Sequence, residues 1–343
     1  MSEIYDDLLE NVLHQYQKSC IQPAVVRQGD AFSDELYARI ENRLSLSEQL
    51  LLHRALSDRD AALLAVRSGQ LAMAGQLFTE ARRVLSSSAL SQEGKLLHQS
   101  LLYQSETYLD YCQGEFALVR SKTENALSID IVLEDQYGYD LFHLHRIQLL
   151  HNLVRTDARC QNYDHALELA SQILSYLEGQ REALPIGTAW GFERMARQPI
   201  ELVRMMIAQI TSEIAVILAA QDFDKAYALF QVATCDPLER ASIQCVPIDQ
   251  HSREWLYLKQ SFLSRDRSTF LKQTCSFLEI GRSQLSLLWY AVVVDLLRLC
   301  DELECPAAKR LQQAIVRDTL EQEQMIPFKF RSLLLASYQP VAV

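Results

Sequence analysis

A chain of 343 residues that is 49% hydrophobic and 22% charged can bury a large core, which excludes disorder as its resting state. Its formal charge of -11 repels phosphate backbones, so general nucleic-acid binding is not expected. Ten glycines and eight prolines are too few and too clustered to punctuate a sheet protein, and an all-α fold is the simplest reading.

The opening MSEIYDDLLENVLHQY is acidic and amphipathic, without the basic segment and apolar core of an export signal. A helix is predicted over 3–19, a linker through SCIQPAVVRQGDAFS, and one or two further helices over 33–55. Residues 1–55 are read as N-terminal helices that cap the first helical unit.

Beyond residue 55 the sequence repeats itself. GQLAMAGQLFTEARRVL sets Leu71, Ala74, Phe78 and Ala81 at steps of three, four and three. GEFALVRSKTENAL does the same with Phe116, Val119, Thr123 and Ala126, and QNYDHALELASQIL with Tyr163, Ala166, Ala170 and Ile173. The fourth copy, AAQDFDKAYALFQVAT, has Phe223, Ala226, Phe230 and Ala233. On a helix these positions share one face, and the small ones let a neighbouring helix approach to about 8–10 Å. Each copy follows an amphipathic stretch and a polar break, so the unit is helix, tight turn, helix.

Between the third and fourth units, GQREALPIGTAWGFERMARQPIE reads either as a plain connection, the preferred reading, or as a loop folded onto a groove. Weaker copies come after it in EWLYLKQSFLSRDRSTFLKQTCSFL and YAVVVDLLRLCDELECPAAKRLQQAI. In the latter, Pro306 stands at a helix start, where a missing N–H is tolerated. The apolar run LSLLWYAVVVDLLRLC carries Asp295 and Arg298, is too short between charges to span a bilayer, and reads as a buried helix. The tail FKFRSLLLASYQPVAV would present Leu333 to Leu335 as an apolar patch if uncovered.

This pattern resembles the tetratricopeptide repeat, a helical hairpin with small residues at crossing points and an aromatic near the middle of its second helix. Trp255 and Leu258, three apart, resemble that family's leading Trp and Leu. The resemblance covers Ser57 to Val316. It implies an α-solenoid of stacked antiparallel hairpins in a right-handed superhelix, with repeats 1–3 over 56–178 and repeats 4–6 over 201–316. Residues 179–200 would connect them, and 317–343 would form a C-terminal tail. The spacing departs from the family: Gly69, Gly114, Gln161, Gln221 and Asp266 stand 45, 47, 60 and 45 apart, against a family period of about 34. Longer helices or interposed loops are therefore expected, and an irregular all-α bundle is the competing architecture.

A single hairpin cannot bury its apolar face, so neighbours must stack and their first helices line an inner wall. That wall would hold Arg59, Leu63, Val66 and Arg67 from the first unit, and Gln104, Tyr108, Tyr111 and Cys112 from the second. The third would add Gln148, His151, Arg155 and Arg159. Among these, Arg59, Arg67, Gln104, Tyr108, Tyr111, His151, Arg155 and Arg159 are the candidate partner-binding residues. Arginine forks suit carboxylates and tyrosines suit apolar side chains, so the strip would fit an extended peptide or an acidic partner segment. The competing reading pairs the arginines with Asp157 and Glu106. The Lys/Asn clamp with which some family members grip a C-terminal carboxylate is not matched, because Leu63 and Tyr108 stand at its asparagine positions.

His143, His145 and His151 crowd into LFHLHRIQLLHN, yet His143 and His145 point about 200° apart on a helix and cannot share an ion. They read as polar residues at the edge of a packed helix. No G-x-S-x-G and no phosphate loop is present, and no catalytic residue, cofactor or metal is assigned. Eight cysteines without a C-x-x-C pair read as small buried hydrophobes in a reducing cytoplasm. The expected function is that of a cytoplasmic, non-catalytic scaffold or regulator that binds a peptide or helix of a partner protein, without membrane insertion. The alternatives are a structural subunit of a larger assembly and an all-helical enzyme subunit with a site drawn from His143, His151 and Trp190.

Overall fold

The computed structural model describes residues 2–20, 31–41, 43–87, 89–234, 249–303, 305–322, 324 and 326–335. Most of the expected linker, Cys235, Cys245 and the tail beyond 335 lie outside them. Sixteen α-helices and one 3-10 turn are found among the described residues, with no strand. The chain divides into two compact units, one made of 28–206 and the other of 1–27 with 207–343.

Helix α1 (Ser2–Cys20) opens the chain, and α2 (Ala31–Glu41) begins the 28–206 unit. Three long hairpins come next: α3 (Leu46–Arg67) with α4 (Leu71–Arg83), α5 (Gln92–Gln113) with α6 (Phe116–Tyr137), and α7 (Phe142–Arg159) with α8 (Tyr163–Leu177). Helices of up to 22 residues account for the wide repeat spacing in this unit. The expected boundary at 55/56 falls inside α3, which runs unbroken from its N-cap. There Ser45 accepts from the Glu48 N–H while Glu48 reaches back to the Ser45 N–H, a capping box that starts the helix well ahead of that boundary.

The hairpins share one turn. A left-handed residue follows each first helix, directly at Gly114 (φ 82°) and one residue later at Gly69 (φ 75°) and Gln161 (φ 62°). The next N–H then closes back on the helix: Gln70 to the Ala65 carbonyl at 2.8 Å, Glu115 to Asp110 at 2.9 Å and Asn162 to Asp157 at 2.9 Å. That geometry restarts the chain as a helix on the first residue of the periodic pattern, at Leu71, Phe116 and Tyr163. Three of the four pattern positions are fully buried each time: Ala74, Phe78 and Ala81; Val119, Thr123 and Ala126; Ala166, Ala170 and Ile173. Consecutive helices from α3 to α8 pack in chain order, and α3 also packs on α5.

In the other unit, α11 (Phe223–Thr234) carries the fourth pattern with Ala226, Phe230 and Ala233 buried. It follows α10 (Ile200–Ala219), whose first residues belong to the 28–206 unit, as does the short α9 (Phe192–Met195). The backbone at Gln221 does not take the left-handed conformation. Between α12 (Gln250–Leu263) and α13 (Arg267–Leu278) it recurs at Arg265 (φ 61°), one residue before the Asp266 chosen from the sequence, with the Asp266 N–H bonded to the Ser261 carbonyl. Trp255 and Leu258 are buried. Helix α14 (Ser286–Leu303) is the buried apolar run, and its Asp295 is met by Lys259 Nζ at 2.8 Å from each carboxylate oxygen. Pro306 starts α15 (Pro306–Glu321), and α16 (Phe328–Leu335) comes after it.

Helix α1 belongs to the unit made of 1–27 and 207–343. It packs against α13 and α15, burying Leu9, Val12 and Tyr16, each worth about 1.5–3 kcal/mol. The Tyr16 ring stacks on Trp289 at 5.5 Å and its hydroxyl donates to Asp318, which Arg282 also holds. Amphipathicity fixes which face of α1 is buried but not which helix covers it. The tail patch is likewise corrected: Leu334 is buried in α16, and Phe328, 84% exposed, is the bare side chain there.

Candidate functional site

An open pocket of about 310 Å³ lies on the first helices of the three hairpins. Helix α3 contributes Leu63 and Arg67, α5 contributes Gln104, Ser105 and Tyr108, and α7 contributes Gln148, Asn152 and Arg155. The spacings, i to i+4 on α3 and i, i+4, i+7 on α7, put each set on one helix face. Of the eight predicted binding residues, Arg67, Gln104, Tyr108 and Arg155 therefore come together, with the wall residues Leu63 and Gln148 beside them.

The other four stand elsewhere. Arg59 is largely buried, pairs with Asp60 at 2.8 Å, and its charge reaches the buried His98. Tyr111 packs edge-on against Phe116. His151 is completely buried, because its neighbours on α7 turn it into the core instead of the wall. Arg159 is exposed at the end of α7, where its charge reaches Cys112.

Among the described residues no carboxylate lines this pocket, although the chain is acidic. The acids of the same helices are engaged from behind. Both Glu106 oxygens are taken, by Arg82 and by Lys122 at 3.1 Å, and Lys122 also holds Asp110 at 2.7 Å. Asp157 is held by Arg120 and by His165 at 2.7 Å. These partners come from α4, α6 and α8, so Glu106, Asp110 and Asp157 are all engaged by second-helix side chains.

The Tyr108 phenol titrates above its usual range because of partial burial and the neighbouring Cys112, while the charges of Arg67 and Arg155 pull it back down. Partial burial also raises the Cys112 thiol, against the pull of Tyr108 and Arg159, so it is no thiolate nucleophile at neutral pH. Cys112 and Cys160 are exposed and Cys300 and Cys305 buried, so the cysteines are not uniformly core residues.

The histidines show a second departure. His143 and His145 are fully buried, not at a helix edge, and each meets a carboxylate from α6. His145 Nδ1 lies 2.7 Å from Asp130, which also accepts from Ser100. The serine hydroxyl is spent on the carboxylate and not aimed at imidazole Nε2, so no activated nucleophile results. The His145 ring is enclosed by Phe32 and Phe142.

Glu134 anchors the other set. Arg146 approaches it at 3.0 Å and Arg194 at 2.6 Å, and Arg194 also reaches Asp135 at 2.7 Å. Burial opposes the Glu134 charge, but His143 and Arg146 outweigh it and hold its pKa below the usual value. Arg146 Nη2 sits 2.8 Å from His143 Nδ1. The same nitrogen lies 3.2 Å from Glu134, so it faces a donor and an acceptor together. On the other side of the ring, Nε2 lies 2.7 Å from the Tyr176 hydroxyl, which donates to the Gly191 carbonyl at 3.2 Å. Burial is the main cause of the lowered His143 pKa; Glu134 opposes it, and the charges of Arg146 and Arg194 add to it.

Residues 186–198 are bound into this network. Arg146 donates to the carbonyls of Thr188 and Ala189 at 2.7 and 2.9 Å, and its guanidinium lies 4.2 Å from the Trp190 ring centre. Gln198 donates to the Asp140 carbonyl. The segment is thus more than a plain connection, and it folds onto α6, α7 and α8 without lining the pocket. Sequence reading missed this network. Its signal was Asp130 and Glu134, four apart and flanking the apolar run Ile131 to Leu133.

Of the enzyme candidates, His143 and Trp190 do meet, with ring centres 5.4 Å apart, but through a network in which every named group is bonded to protein. Among the described residues, no group of three or more His, Cys, Asp or Glu is placed to hold a metal ion. Helix α10 is long and apolar enough to cross a membrane by length and composition, and its apolar window is mostly buried inside the protein. No protein-family model matches the chain, and no curated protein or solved structure is detectably similar to it.

Proposed function

We propose that the chain is a non-catalytic recognition protein, a tetratricopeptide-like solenoid that works as a scaffold or regulator in the cytoplasm and binds a peptide or helix of a partner protein. The observation that carries this reading is the open pocket lined only by first helices of successive hairpins. Its lining mixes an apolar side chain, an aromatic, three amides and two guanidiniums. Amides and guanidiniums can bond peptide carbonyls and carboxylates, while Leu63 and Tyr108 can take an apolar side chain. The identical left-handed turns at Gly69, Gly114 and Gln161 support stacked hairpins of one type.

Selection from a displayed library of random peptides tests the reading. Sequences retained by the native chain should be lost by the Arg67→Glu/Arg155→Glu variant. Retention of no peptide, or equal retention by both proteins, counts against it. A second reading, a structural subunit of an assembly, draws on Phe328 and on the exposed Leu46 and Leu50, one helical turn apart on α3.

A further inference from the structure

We infer that residues 186–198 form an acid-released strap, latched onto α6, α7 and α8 while the His143 imidazole is neutral and let go when that ring takes up a proton. The latch lies in the two neighbours of one nitrogen. His143 Nδ1 is 2.8 Å from Arg146 Nη2 and 3.2 Å from Glu134 Oε1. A neutral ring can accept there from the guanidinium, which only donates. A protonated ring carries a hydrogen on Nδ1, which suits Glu134 but meets the Arg146 N–H hydrogen to hydrogen.

Both nitrogens of His143 bear on groups that hold the strap. Arg146, completely buried, donates to the carbonyls of Thr188 and Ala189 and lies against the Trp190 ring. Nε2 is 2.7 Å from the Tyr176 hydroxyl, which accepts from the Gly191 N–H at 3.1 Å. The strap also stores strain, since Ala189 is held in the left-handed region at φ 56°.

The charged groups facing His143 are Glu134 from α6, Arg146 from its own helix and Arg194 from the strap, and Tyr176 faces it from α8 as a phenol. Glu134 already meets Arg146 at 3.0 Å and Arg194 at 2.6 Å. Protonation of His143 would leave one carboxylate to answer three cations in a buried site, and the two arginines are the ones that fasten the strap. Burial keeps the folded imidazole below its ordinary pKa, and the two arginine charges add to that. Opening hydrates the ring and restores its proton affinity, so protons favour the released strap. The latch is closed above about pH 6.5 and opens as the pH falls through the lowered folded value.

Hydrogen exchange on the full chain tests this, read by mass spectrometry and expressed as protection factors to remove the intrinsic pH dependence of exchange. The amides of Gly191, Met195, Ala196 and Gln198 are hydrogen-bonded in the latched strap. Between pH 7.5 and 5.5 they should lose about ten-fold or more of their protection, while α6, α7 and α8 keep theirs. His143→Gln, which does not titrate, should show equal strap protection at both pH values. An NMR titration of the His143 ring in the native chain needs no variant: its proton should arrive over the pH range in which the strap opens. Constant strap protection, a loss that persists in His143→Gln, or a loss shared by the three helices would each overturn the latch. So would a His143 ring that stays neutral where the strap has opened.

Discussion

Helix α7 carries two sets of polar residues, and the contrast between them organises the molecule. In its first turns His143, His145 and Arg146 are buried, and each is tied to α6, to α8 or to the 186–191 backbone. Further along, Gln148, Asn152 and Arg155 border an open pocket with no carboxylate in its lining among the described residues. A buried ion pair holds its partners in place because losing one of them strands the other, whereas a solvated pair contributes little. The first set should therefore govern stability and the second should govern binding.

The largest effect should come from Glu134→Ala, which leaves Arg146 buried without its carboxylate and Arg194 paired with Asp135 alone. A loss of about 3–5 kcal/mol in urea unfolding is expected, and a change below about 1 kcal/mol would remove the network from its structural role. Trp190→Ala should come next, at about 2 kcal/mol, since it removes the ring over Arg146 from a half-buried site. Faster hydrogen exchange confined to 186–191 would accompany it.

Acid should weaken the buried set in the same sense. His143 and His98 have folded pKa values below the ordinary imidazole value, both chiefly through burial. The unfolded chain then binds protons more readily, so the stability they contribute is fully present above about pH 6.5 and is lost as the pH falls through their folded values. Each unit of depression is worth about 1.4 kcal/mol. Unfolding free energy should fall from pH 7.5 to 5.5, less steeply in His143→Gln; an identical slope in that variant would exclude His143 as a source.

The smallest effect belongs to the turns. Gln161 occupies a left-handed position that Gly69 and Gly114 fill in the sister hairpins. Gln161→Gly should raise stability by about 0.5–1 kcal/mol, while Gly114→Ala should lower it by a similar amount. A destabilised Gln161→Gly would mean that the Gln161 side chain matters more than its backbone.

These contrasts also show what a single sequence can carry. Local periodicity located α4, α6, α8 and α11 to the residue, because steps of three and four fix a helix face and the polar break fixes the turn. The same periodicity brought Arg67, Gln104, Tyr108 and Arg155 together. It failed wherever the decisive partner was distant in sequence. The packing of α1 on α13 and α15 leaves no local trace, and neither does the folding of 186–198 onto α6 to α8. His151 was lost for a related reason: steps of four from Arg155 and Arg159 define a stripe, but the stripe drifts around the helix and its first member turns inward.

The division of labour on α7 is most directly tested by measuring one pair of variants in two ways. Arg67→Gln/Arg155→Gln and Glu134→Ala should each be assayed for urea unfolding and for affinity to a peptide selected by the native chain. The arginine variant should lose affinity by about ten-fold or more with stability changed by less than about 1 kcal/mol, and Glu134→Ala should lose stability first. An arginine variant that unfolds like Glu134→Ala, or that binds the peptide like the native chain, would contradict the account.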